Sequence, residues 1–96
     1  MNIKKLEQGA LAGNSGAQYN LGMCYGRGYG VTQDAAKAAE WFEKAANQGQ
    51  AQAQYNLGAR YYNGQGVTKN VPTARQWWQK AAAQGHQGAI EALKEY

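Results

Sequence analysis

The side chains able to do covalent chemistry in this 96-residue chain are few and stand apart. His86 is the only histidine and Cys24 the only cysteine, so neither has companions at metal-ligand spacing and no metal site is expected. A single cysteine also rules out an intramolecular disulfide. Ser15 is the only serine, and beside Gly16 it reads as a helix cap rather than a nucleophile on an elbow turn. Glu40 and Glu43 share a predicted helix and read as solvated. Gly28-Tyr29-Gly30 and Gly64-Gln65-Gly66 resemble fragments of phosphate loops, but neither follows a strand nor continues into a lysine-bearing motif. Both read as tight turns that need positive φ. Catalysis and cofactor chemistry are therefore not expected. Binding chemistry is what remains. Asn56 and Arg60, four residues apart, put an amide and a guanidinium on one helix face, a combination suited to a carboxylate.

The elements that would position such a pair follow from a repeat. Shifting the sequence by 36 residues lays Ala17–Gln52 over Ala53–Gly88 without a gap, with identity at 18 of 36 positions. AQYNLG recurs letter for letter at Ala17–Gly22 and Ala53–Gly58. Tyr25 meets Tyr61, Trp41 meets Trp77, and Lys44-Ala45-Ala46 meets Lys80-Ala81-Ala82. Gln48-Gly49 meets Gln84-Gly85. The pattern continues in part at both ends. Ala10 and Gly13 fall one period before Ala46 and Gly49, and Ala89 and Leu93 one period after Ala53 and Leu57. The organisation expected is one repeat domain over 1–96: a half unit 1–16, full units 17–52 and 53–88, and a C-terminal capping helix 89–96.

Each unit reads as two helices. Ala17, Leu21 and Tyr25 fall at i, i+4 and i+8 in the first. Ala38, Trp41, Phe42, Ala45 and Ala46 fall on one face of the second, with Trp41 and Trp77 placed toward the core and Trp78, the counterpart of Phe42, also packing. Asp34 and Asn70 are natural N-caps, and Pro72 falls in a first turn, where its missing N–H costs nothing. Gly49 and Gly85 sit where a C-terminal glycine cap is expected. Gly22 and Gly58, facing Ala38 and Ala74, would let paired helices approach closely. Six helices are predicted, at about 3–12, 16–26, 35–48, 51–62, 71–84 and 87–94. A single unit cannot bury its apolar face alone, so the units must stack into a quasi-one-dimensional array.

Bulk composition agrees. The formal charge is +4, but the basic residues are dispersed, with no run longer than Lys4-Lys5, and no nucleic-acid footprint results. The first residues lack the apolar core of a signal peptide, and no stretch approaches the roughly 18 apolar residues of a membrane span. A soluble protein is expected, with its compartment unassigned.

The pattern A-x-x-x-LG-x-x-Y-x-x-G-x-GV, then D/N, then A-x-x-W-[FW]-x-KAA-x-QG, resembles the Sel-one-like repeat. This is the 36-residue branch of the tetratricopeptide superfamily, many of whose members are bacterial. The resemblance covers Ala17–Gly88 in full and the flanking half units weakly. It implies an all-α, right-handed α-solenoid of tandem helix–turn–helix repeats that acts as a scaffold for protein partners. A cysteine-rich branch of the family, stapled by disulfides, is associated with β-lactam binding and hydrolysis. This chain lacks the paired cysteines, and that activity is not carried over.

In tetratricopeptide relatives the first helix of each unit lines a concave groove, where an Asn contacts an extended peptide. The Asn of YNLG matches it at Asn20 and Asn56. Cys24 and Arg60 follow one turn later, and Arg27 and Asn63 two turns later. The resemblance thus implies a protein or peptide ligand on a surface that includes Asn20, Cys24, Arg27, Asn56, Arg60 and Asn63. The alternative is an engineered or excised repeat module with a structural role only. Incompletely covered ends would allow end-to-end self-association.

Overall fold

The computed structural model describes residues 2–96, and Met1 of the first half unit lies outside the described residues. It holds six helices and, among the described residues, no strand: α1 Ile3–Leu11, α2 Ser15–Arg27, α3 Ala35–Asn47, α4 Ala51–Asn63, α5 Val71–Ala83 and α6 Gln87–Glu95. Local chemistry sets their ends. The side chains of Asn2, Asn14, Asp34 and Asn70 each accept a hydrogen bond from the backbone N–H three residues on, satisfying a donor that the first turn leaves unpaired. Asn14 thus takes the capping role expected of Ser15, which is the first helical residue of α2. Gly28 and Gly64, at φ +72° and +69°, close α2 and α4 in the left-handed conformation.

The helices pack in chain order. α2 against α3 and α4 against α5 are the most extensive pairings, with α1 and α6 at the two ends. The molecule measures 38 × 24 × 17 Å, the elongated form that stacking in one direction produces. Its core is built from small residues, among them Ala38, Ala45, Ala53, Ala74, Ala81 and Ala89, plugged by Leu21, Leu57, Phe42 and Trp78. Trp41 and Trp77, expected in that core, are only half-buried. Position 42/78 points inward, and its neighbour on the helix turns about 100° away. Lys44 and Lys80 cover the outer indoles, at 5.6 and 4.7 Å from the ring centroids.

The glycines of LG lie under rings, and of the two only Gly58 also meets its expected alanine. A Cβ at Gly22 would come within 2.9 Å of the Phe42 ring, whereas Ala38 lies against Gly26. A Cβ at Gly58 would stand 2.5 Å from Trp78 Nε1 and 3.0 Å from the Ala74 carbonyl oxygen. Trp78 is also held by its own hydrogen bond, Nε1–H donating to the Tyr55 carbonyl at 3.2 Å. Gly58→Leu should therefore overpack this crossing and cost on the order of 1–3 kcal/mol, read as a lower urea midpoint at unchanged slope. An unaltered midpoint would mean that the crossing can open without cost.

Two glutamines tie each full unit to the one before it. Gln18 Nε2 donates to the Ala10 carbonyl at 3.1 Å, and its Oε1 accepts from Gln48 at 2.8 Å. Gln48 Nε2 also reaches the Gly13 carbonyl at 2.9 Å. One period later Gln54 bonds Ala46, while Gln84 bonds Gln54 and Gly49. Gln18 and Gln54 are buried, and these bonds give their amides polar partners at the helix ends they lie against. At the start of α6, His86 Nδ1 accepts from the Ala89 N–H at 3.1 Å and Nε2 meets Gln52 Oε1 at 2.7 Å. These partners assign the neutral Nε2–H tautomer, and the ring stacks on Tyr55 at 4.7 Å. The lone histidine is thus a helix cap.

Candidate peptide-binding cleft

α2 and α4 are the first helices of consecutive units, and α3 runs between them in the chain. Where they come together a cleft of about 300 Å³ opens, lined chiefly by Met23, Gly26, Arg27, Phe42, Asn56 and Arg60. The 3.6-residue period brings Asn56 and Arg60 to the same face of α4, while Met23, Gly26 and Arg27 come from the last turns of α2. Phe42 reaches the same place from α3, its ring otherwise buried.

Arg60 dominates the electrostatics. Its guanidinium carbon lies 5.3 Å from the centroid of the Phe42 ring, a cation–π arrangement. Half-burial lowers its pKa from the ordinary arginine value, and among the described residues no neighbouring carboxylate offsets that desolvation. The guanidinium remains charged at physiological pH. Asn56 donates through Nδ2 to the Tyr19 hydroxyl at 3.4 Å and to Met23 Sδ at 3.8 Å, both long contacts. These partners aim the amide across the boundary between units. Arg27 stands exposed at the rim, its guanidinium 5.9 Å from the Tyr29 ring.

Of the six residues singled out from the sequence, Arg27, Asn56 and Arg60 meet in this cleft. Asn20 is exposed on α2 and does not line it. Asn63 is exposed at the end of α4 and donates back to the Ala59 carbonyl of its own helix at 3.0 Å. Cys24 is a correction: it is 1% exposed and contributes nothing to a surface. It occupies the register position of Arg60, but its short side chain is enclosed where the long arginine reaches the edge. Burial pushes the thiol pKa up, which keeps it protonated and unreactive at neutral pH. Met23, Gly26 and Phe42 complete the cleft without having been anticipated there. The sequence signal for them is that each breaks the repeat: their counterparts are Ala59, Tyr62 and Trp78.

The family model of the Sel1 repeat matches residues 15–50 and again 51–86. The chain belongs to the Sel1 repeat family. The matched units start at the first residues of α2 and α4, so each holds one complete helix pair. Solved structures agree. A Sel1 repeat protein from Oxalobacter formigenes is similar at 40% identity and a TM-score of 0.96, over 98% of this chain and 71% of that one. The c5321 protective antigen of uropathogenic Escherichia coli, described as displaying an SLR fold, is 40% identical with a TM-score of 0.93. There the match covers 95% of this chain but 20% of that one. Cysteine rich protein B of Helicobacter pylori matches at 28% identity and a TM-score of 0.89, covering 94% and 68%. Comparison with curated protein sequences returns no match. Sel1 repeat proteins are generally protein-interaction scaffolds, and this chain shares their helical repeat fold. Among the described residues, no helix of this Sel1 repeat chain is long and apolar enough to cross a membrane.

Proposed function

We propose that this Sel1 repeat array is a scaffold that holds an acidic or carboxylate-bearing peptide segment of a partner protein in the cleft between its two full units. The observation that carries the reading is the half-buried Arg60 guanidinium, which has an aromatic ring beneath it, an amide beside it and, among the described residues, no carboxylate of its own. A cation partly removed from water and left unpaired gains strongly from an incoming anion, because the desolvation cost is already met in the free protein. Asn56 can bond the peptide backbone, and Arg27 at the rim can steer an acidic segment inward.

Panning a random hexapeptide library against the folded chain provides the test. Selected peptides should be rich in carboxylates. Arg60→Ala should weaken them by about ten- to a hundredfold, the worth of a hydrogen bond to a charged group, and Asn56→Ala by less. Circular dichroism and thermal melting must show both variants folded. Unchanged affinity in Arg60→Ala would move binding to the second helices or the glycine loops.

A further inference from the structure

The two intervals between units can be compared position by position, because the repeat runs at 36 residues without a gap. In the second interval, Tyr62, Trp78 and Tyr96 form a cluster of three mutually tilted rings. The centroids are 5.7 Å apart for Tyr62–Trp78, 4.8 Å for Tyr62–Tyr96 and 6.0 Å for Trp78–Tyr96. One period earlier the same positions hold Gly26, Phe42 and Arg60. Phe42 replaces Trp78 as the base, and Arg60 lies over Phe42 at 5.3 Å much as Tyr96 lies over Trp78. No ring takes the place of the Tyr62 ring; the tip of the Arg60 side chain lies over that position instead. Gly26 stands there, and the cleft opens beside it.

This glycine is not required by the backbone. Gly26 lies within α2 and is not among the positive-φ residues. A glycine inside a helix weakens it, so its presence needs another reason. Space supplies one. A Cβ at Gly26 would meet Arg60 Nη2 at 2.7 Å and nothing else closer than the Ala38 Cβ at 3.7 Å. The nearest obstacle is the far end of a flexible side chain. A ring brought in from outside can take the place that Tyr62 takes in the next unit.

We propose that the cleft receives an aromatic side chain of the partner peptide, seated against Gly26 and Phe42 and stacked on the Arg60 guanidinium. The proposal rests on the carboxylate reading above and adds a second recognition element to it. Stacking uses the face of the guanidinium, and its N–H groups lie in the plane, so one arginine serves both the ring and a nearby carboxylate. The partner segment is one in which an aromatic residue and a carboxylate lie within a residue of each other.

Three small probes separate the two elements: N-acetylphenylalanine, N-acetylalanine and N-acetylphenylalaninamide, each titrated by NMR while the Gly26 amide and the Arg60 Nε–H are followed. N-acetylphenylalanine should bind about tenfold more tightly than N-acetylalanine, as one aromatic stack with a cation predicts. Its ring protons should give nuclear Overhauser effects to the Gly26 α-protons and the Phe42 ring. In Gly26→Tyr, which supplies the missing ring from within, the chain should stay folded and the preference for phenylalanine over alanine should vanish. Equal binding of the two acids by the unaltered chain overturns the aromatic pocket while leaving the carboxylate reading intact. The same holds for ring contacts elsewhere on the surface. Equal binding of N-acetylphenylalanine and its amide does the reverse: the ring pocket stands and the carboxylate reading falls. Because the comparison of the acids and the ring contacts use the unaltered protein, the proposal remains open to refutation even if Gly26→Tyr does not fold.

Discussion

Gly66→Ala is expected to lower the melting temperature by about 15 °C, a loss on the order of 3 kcal/mol for a domain of this size. Two effects add. Gly66 has φ +77°, where an L side chain is strained by roughly 1 kcal/mol or more. A Cβ there would also run into the carbonyl of Ala35, the first residue of α3. That obstacle is backbone, so no side chain can turn aside to relieve it. The glycine loop of the second unit would have to lift off the first turn of α3. Gly49→Ala separates the two effects. Gly49 has φ +93° and nothing within 4 Å of the added carbon, so only the conformational cost of about 1 kcal/mol should appear. Equal shifts for the two variants would show that the contact with Ala35 carries no weight.

Trp78→Ala is expected to cost about 3–5 kcal/mol, enough to leave much of the population unfolded at physiological temperature. Trp78 is 3% exposed and joins the α4–α5 pair to the end of the array. Its ring covers Gly58, its Nε1–H satisfies the Tyr55 carbonyl, and Tyr62 and Tyr96 rest on it. Truncation leaves a cavity over a glycine, which has no side chain to collapse into it, and removes one hydrogen bond. Trp77→Ala, one residue away, removes a half-buried ring covered by Lys80 and should cost clearly less. Urea unfolding of the two variants provides the comparison. A Trp77 effect as large as that of Trp78 would contradict the assignment of the second indole alone to the core.

The sequence by itself determined what depends on near neighbours along the chain. Helix periodicity, capping residues and glycines with positive φ all act within a few residues. The six helices consequently lie within a residue or so of where the spacing of Ala, Leu, Trp and Gly placed them. The 36-residue identity extended this to the stacking of units, because a face that recurs must be buried against its own copy.

What the tertiary structure decided is how deep each side chain sits and what it meets across a helix crossing. Cys24 and Arg60 are equivalent in register, yet one is sealed inside and the other reaches a cleft, since side-chain length against the neighbouring helix sets exposure. Trp41 and Phe42 are adjacent, and both looked apolar on the same broad face. Only the packing of α3 against α2 and α4 shows that Phe42 fills the core and Trp41 remains at its edge. Gln18 and Gln48 were visible as repeated letters, but their bonds join three segments of chain that meet only in the stacked array. The cleft has the same origin. Asn56 and Arg60 announce a polar pair on one helix, while the space beside them exists because Gly26, on another helix, omits the ring that Tyr62 supplies one repeat later.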